Sequence, residues 1–224
     1  MIGRYDAAIN GTWLSEIGDS VVITDISEHE AKTRISTAEK AIDNGLRFIR
    51  RQRESLSVSI SFVIFEQDVE RRKDILMRVQ SWAAAVSGSV SRLEINDRRG
   101  QYLLVRYAEL PAMASAMNYQ DEMTVVFTAY ELPYWMDQHP SQTTITGDGS
   151  LFVPGIGETL VDAEITNTGS GTITALTLAC GETSLSFSGL SLGNGQTLSI
   201  AHDDLGILSA KIGSTSVLAN RTAE

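Results

Sequence analysis

Charge is unevenly distributed along this chain, and the point where it thins out limits the folds open to it. Residues 1–150 hold 16 of the 18 Lys and Arg and 21 of the 28 Asp and Glu, whereas residues 151–224 hold two and seven. Glycine runs the other way, 8 in the long first part and 10 in the short second one. All three Trp (Trp13, Trp82, Trp135) and all six Tyr lie before residue 140. One core does not account for two such compositions, and 224 residues are enough for two cores of ordinary size. The stretch from His139-Pro140-Ser141 to Gly147-Asp148-Gly149-Ser150 is polar and rich in turn residues, as a boundary should be. The expectation is a first domain over 1–145 and a second over 150–224.

In the first domain the clearest strand is Leu56–Phe65, where Leu56, Val58, Ile60, Phe62 and Ile64 alternate with Ser57, Ser59 and Ser61. Residues 68–87 read as the one helix. Asp68 suits an N-cap, Ile75, Leu76, Val79, Trp82, Ala83 and Val86 recur at helical spacing, and Gly88 follows as a stop. Arg92–Ile95 and Gln101–Ala108 flank a five-residue hairpin loop ending in Gly100. Strands are also expected at Val21–Ile26 and Met123–Tyr130. The second domain reads as short strands alone, at Leu160–Thr166, Thr172–Ala179, Ser184–Phe187, Gln196–Ala201, Ile207–Lys211 and Ser216–Leu218. Gly181, Gly189, Gly193 and Gly195, Gly206 and Gly213 punctuate them, the rhythm of a small β-sandwich.

Ser27–Arg53 is ambiguous. Glu28–Lys32 and Thr37–Ala41 have helical propensity, but the apolar positions Ala31, Ile35, Ala38 and Ile42 make only a thin stripe. Asn44-Gly45 is a strong turn signal, so an extended arm or long hairpin fits equally well. Acidic residues (Glu28, Glu30, Glu39, Asp43) precede that turn, and Arg47, Arg50, Arg51 and Arg53 follow it. An arm this polar leans on something else. The candidate interface residues are therefore Ile35, Ile42, Arg47, Arg50, Arg51 and Arg53.

Chemistry is harder to find. The net charge of −10 disfavours sequence-independent nucleic-acid binding, and no aromatic interleaves the arm's arginines for base stacking. A second basic cluster, Arg71-Arg72-Lys73, is interspersed with Asp68, Glu70 and Asp74 and reads as a solvated face or as ion pairs across an interface. No apolar run approaches the ~20 residues that span a bilayer, and the N-terminus lacks the layout of a secretory signal. Cys180 is the one cysteine, which excludes an intramolecular disulfide and a Cys-based zinc site and fits a small core residue in a reducing compartment. His202-Asp203-Asp204 carries metal-ligating types but reads better as a polar hairpin loop. Gly155-Ile156-Gly157 and Gly193-Asn194-Gly195 have no helix after them to bind a phosphate. Residues 151–224 contain no Trp or Tyr for a sugar platform, and Phe152 and Phe187 sit in core-like alternations. No catalytic residue, metal or cofactor is expected.

One order of features points to a family. The strand Val21–Ile26 leads into the polar arm with Asp43-Asn44-Gly45, and Leu56–Phe65 enters the helix ending in Trp82-Ala83. A hairpin then precedes a last strand closing on Tyr130-Glu131-Leu132-Pro133-Tyr134-Trp135. Over roughly residues 20–136 this order resembles the distal tail proteins of long-tailed, siphovirus-type bacteriophages and related prophages. The resemblance implies a mainly β chain, a β-barrel-like first domain with one α-helix followed by a galectin-like β-sandwich. It implies a homohexameric ring joining the tail tube to the tail tip or baseplate, in the virion tail after assembly in the host cytoplasm. Its partners would be the tail tube, the tape measure and a tip or tail-associated protein, with no nucleic acid, no membrane insertion and no enzymatic activity. In that family the sandwich closes with further strands, whereas this chain stops at Asn220-Arg221-Thr222-Ala223-Glu224. Either the chain is truncated or its last strand comes from elsewhere. The rival readings are a carbohydrate-binding adhesin module with an N-terminal support domain, and an enzyme whose site is scattered over both domains. A solution mass near six protomers separates the ring from both.

Overall fold

An alternating apolar face has to be covered, and the cover over Leu56–Ile64 organises the first part of the molecule. The computed structural model describes residues 5–39, 46–86, 89–112, 121–139, 142–150, 162–180, 183–203 and 206–222, with side chains omitted at 30–39, 46–54, 180 and 183. The chain divides into two units, Met1–Thr143 and Thr144–Glu224. It is mainly β, with antiparallel pairing throughout and one α-helix among the described residues. No helix among those residues is long and apolar enough to cross a membrane.

Unit 1 has two sheets. The first runs in the order β2-β1-β5-β6-β9, from β1 (Ala7–Ile9), β2 (Thr12–Trp13), β5 (Ser91–Ile95), β6 (Gln101–Val105) and β9 (Met136–Asp137). The second runs β3-β4-β8-β7, from β3 (Val21–Glu39), β4 (Leu46–Ile64), β7 (Tyr107–Glu109) and β8 (Met123–Ala129). The register sets Leu56, Val58, Ile60 and Phe62 opposite Ala129, Phe127, Val125 and Met123. Paired residues point to the same side of a sheet, so these eight side chains make one apolar face, and all eight are buried. Ala7, Ile9, Leu93, Ile95, Leu103 and Val105 complete the core from the first sheet.

Helix α1 (Val69–Ala84) closes this core with Leu76, Val79, Trp82 and Ala83. It begins where Asp68, in extended conformation, accepts from the Arg71 backbone N–H at 2.9 Å. It ends at Ala84, earlier than the expected residue 87, with the Ala85 N–H turning back to Trp82 and Ala83 carbonyls; Ser87 and Gly88 lie outside the described residues. Trp82 is 7% exposed. Its ring meets Phe127, the cross-strand partner of Val58, edge-on at 5.6 Å between centroids and 89° between planes. Its indole N–H donates to the Thr12 carbonyl at 2.8 Å, so the polar end of the ring is satisfied by the opposite sheet.

The expected single strand Gln101–Ala108 is in fact two strands. β6 belongs to the first sheet and β7 to the second, with Arg106 alone between them and its N–H donating to the Thr128 carbonyl. The residues of β6 from Tyr102 to Val105 are all buried, whereas β7 is a largely exposed edge, so burial changes where the chain changes sheets. The chain thus passes directly from one sheet to the other at Arg106.

Unit 2 is a β-sandwich. One sheet orders β10 (Ala163–Thr166), β13 (Thr197–His202), β14 (Leu208–Ile212) and β15 (Thr215–Ser216). The other orders β11 (Ile173–Cys180), β12 (Thr183–Leu192) and β16 (Arg221–Thr222). Phe187, Leu190, Leu192, Leu198, Ile200, Ala210 and Val217 form its core. Gly189 does not end a strand as its position suggested. β12 runs through it at φ +67° with a break in register against β11, and the Asn220 side-chain amide donates to the carbonyls of Ser188 and Gly189.

Two outcomes test this packing. Trp82→Ala should lower the stability of unit 1 by about 3–5 kcal/mol, the usual range for a buried aromatic cut to a methyl, read as a shifted denaturant midpoint. The Asp68 carboxyl is held below its ordinary range chiefly by the Arg71 N–H. A carboxylate lowered in the folded state stabilises above its unfolded pKa, and that contribution is lost as pH falls through the folded value. Asp68→Asn keeps the capping oxygen without the charge, so its thermal midpoint should fall less than that of the parent chain on acidification below pH ~4.

Candidate assembly site

The ambiguous arm is a β-hairpin. β3 and β4 pair from Val21 opposite Ile64 out to Glu39 opposite Leu46, each strand 19 residues long. Helical propensity at Glu28–Lys32 and Thr37–Glu39 is overridden by this pairing, since β structure is decided by neighbours more than by intrinsic preference. β8 joins β4 only over Leu56–Phe62. Among the described residues, β4 from Leu46 to Ser55 therefore pairs with β3 and nothing else. At ~3.3 Å per residue that two-stranded portion is roughly 30 Å long. Register shifts fall between His29 and Thr33 and between Ser36 and Thr37, and such irregularities strengthen twist.

The candidate residues take definite places on this ribbon. Arg53 lies opposite Thr33, Arg51 opposite Ile35, Arg50 opposite Ser36 and Arg47 opposite Ala38. Ile42 and the Asn44-Gly45 turn lie outside the described residues. The hairpin thus lays a basic limb (Arg47, Arg50, Arg51 and Arg53 against Glu54) antiparallel to one of mixed charge, where Glu30 and Glu39 are offset by Lys32 and Arg34.

Glu28 is already engaged. It sits on β3 opposite Val58, one residue before the in-register pairing breaks after His29. Arg98, in the turn between β5 and β6, grips it with two hydrogen bonds, Nε to Oε1 at 2.6 Å and Nη2 to Oε2 at 2.9 Å. The Trp135 indole N–H donates to the same Oε2 at 3.2 Å, and the Arg98 guanidinium carbon lies 5.0 Å from the Trp135 ring centroid. A cavity of about 320 Å³ opens beside the cluster, lined by Tyr5, Ile26, Glu28, Ile95, Asp97 and Arg98. The sequence reading missed this convergence. Its one signal in the sequence is a Trp just beyond Pro133.

The face of the second sheet away from the core is lined by hydroxyls that bond one another. Ser57 meets Thr128 at 3.1 Å, Ser61 meets Thr124 at 3.0 Å, and His29 Nε2 meets the Ser59 hydroxyl at 2.8 Å. Ser59 and Thr128 are buried, so these contacts satisfy groups that water does not reach freely. Tyr107, on the edge strand, is half exposed.

Several other polar residues that stand out in the sequence have structural partners. Arg72, expected on a solvated face or in an ion pair across an interface, is buried, and its Nη1 donates to the carbonyls of Glu66 and Gln67 ahead of α1. Lys73 pairs with Glu70 at 2.8 Å. His202 Nδ1 lies 3.0 Å from Asp162 Oδ1, and the Asp203 carboxylate accepts from the Ile207 N–H, closing the loop between β13 and β14. Gly193-Asn194-Gly195 turns β12 into β13 and is tied back through the Asn194 amide to the Gly169 carbonyl. Phe187 is core; Phe152 and Gly155–Gly157 lie outside the described residues, as do Asp204 and the Cys180 side chain. Among the described residues no three His, Cys, Asp or Glu gather closely enough to hold a metal ion.

No family model matches the chain, and no curated protein matches it by sequence. Among solved structures it is similar to the crystal structure of SPP1 Dit (gp 19.1), a protein described there as a paradigm of the hub adsorption apparatus in phages infecting Gram-positive bacteria. The two superpose with a TM-score of 0.51 over 97% of this chain and 88% of that one, at 11% sequence identity. Identity that low speaks to architecture alone, and the architecture of this chain is Dit-like.

Proposed function

We propose that this chain is a distal tail protein, a non-enzymatic subunit whose six copies close into a ring between tail tube and tail tip or baseplate. In this reading unit 1 forms the ring and unit 2 is an appended sandwich. The other partners are the tail tube, tape measure and tip proteins, and the location is the virion tail after assembly in the host cytoplasm. The observation that carries it is the hairpin that outruns its sheet. A two-stranded ribbon by itself is barely stable in water, so β3–β4 beyond Leu56 calls for a second surface, and another copy of the chain supplies one. Support also comes from the Dit-like fold along the whole chain and from polar residues that serve loops and caps rather than a reaction centre. The adhesin reading has less behind it, because Phe187 is committed to the core of unit 2.

A basic β4 limb on a chain of net charge −10 can pair with acidic side chains of a neighbouring copy, which suits a ring. An exposed pair contributes only ~0.2–1 kcal/mol, but closed symmetry repeats it at every interface. Light scattering of the full chain should give a mass near six protomers. Arg50→Glu together with Arg51→Glu should lower that mass while leaving the circular dichroism of the monomer unchanged. High salt should lower the wild-type mass in the same direction. A wild type that stays monomeric at high concentration counts against the ring, and a double mutant that assembles normally removes these arginines from the interface.

A further inference from the structure

We propose that Glu28, Arg98 and Trp135 form a clamp that sets the direction in which the β3–β4 hairpin leaves unit 1. Three facts place it at the pivot. Glu28 is the penultimate residue of the in-register stretch Asp25–His29, beyond which the register of β3 against β4 breaks between His29 and Lys32. The pairing of β4 with β8 stops at Leu56, so from that level outward the hairpin loses its third strand. The groups holding Glu28 come from elsewhere in the unit: Arg98 from the β5–β6 turn of the first sheet, and Trp135 from the segment entering β9.

Each bond does a different job. The two-point grip of Arg98 fixes the plane of the carboxylate, which one ion-pair contact would leave free to rotate. The Trp135 N–H takes the oxygen that Nη2 also uses, and its ring lies close to the guanidinium, so displacing any one group loosens the other two. Arg98 and Glu28 keep 39% and 30% of their side-chain surface, so ions reach the pair and salt weakens it. The clamp is a positioning device. Its consequence for assembly rests on the ring reading above: a hairpin held at one angle presents the same surface to each neighbour, whereas a loose one must be ordered at every interface.

The test is pulsed electron-spin distance measurement between nitroxides at Thr37→Cys on the hairpin and Arg78→Cys on α1, in a Cys180→Ser background. Labelled chain is diluted into unlabelled chain so that only pairs within one chain are seen. Glu28→Gln and Arg98→Gln should each broaden the distance distribution, as should high salt on the unsubstituted chain, with the thermal midpoint of unit 1 unchanged. Trp135→Phe keeps an aromatic ring and loses the donor, so it should broaden the distribution less. Light scattering of the same variants should show a lower mass than the parent. Distributions as narrow as the parent's in both Glu28→Gln and Arg98→Gln overturn the clamp. Broadened distributions in a chain that never exceeds one protomer keep the clamp and overturn the ring, so the two readings fail separately.

Discussion

The apolar face shared by β4 and β8 must be kept dry, and most of unit 1 is arranged around that requirement. Eight side chains from Leu56–Phe62 and Met123–Ala129 lie on it, and all eight are buried. The first sheet covers one part and α1 the rest. Trp82 joins the three layers, resting edge-on against Phe127 while its N–H reaches across to Thr12. Buried Arg72 belongs to the same arrangement. By holding the Glu66 and Gln67 carbonyls it fixes the bend from β4 into the helix, and so the face that α1 presents.

The hairpin follows from the same strand. β4 is a central strand over Leu56–Phe62 and one half of a ribbon over Leu46–Ser55. Its inner part is stabilised by burial, and its outer part, among the described residues, pairs with β3 alone. The stability of the ribbon is therefore decided at its inner end and by whatever it meets outside. In the ring reading, a chain with this plan gains specificity by controlling where the ribbon points.

Local pattern made some elements legible in the sequence and left others hidden. The period-2 run in β4, the Asp68 cap with its following apolar stripe, and the Asn96–Gly100 loop were readable because neighbouring residues decide them. The arm was not, since Glu28–Lys32 favours a helix in isolation and only the pairing with β4 overrules it. The split between β6 and β7 had no signal, because a single exposed arginine in an otherwise continuous strand pattern does not announce a change of sheet. Gly189 misled for a related reason: a glycine can end a strand or bulge within one, and the Asn220 amide that decides between them is 31 residues away. Of the candidate interface, the register of the arginines is now fixed. The Glu28–Arg98–Trp135 cluster lay beyond reach because its members are scattered over the sequence and meet only through the tertiary fold.

The crossing at Arg106 has a mechanical side. One continuous run of chain is an inner strand of the first sheet up to Val105 and an edge strand of the second from Tyr107. Layers joined only by side chains can part by losing van der Waals contact, one sheet at a time. Here a parting also strains the peptide run through Arg106 and the ladders at both of its ends. Unit 1 is thus stitched as well as packed, and a pull applied to either sheet is shared by the other before any strand comes free.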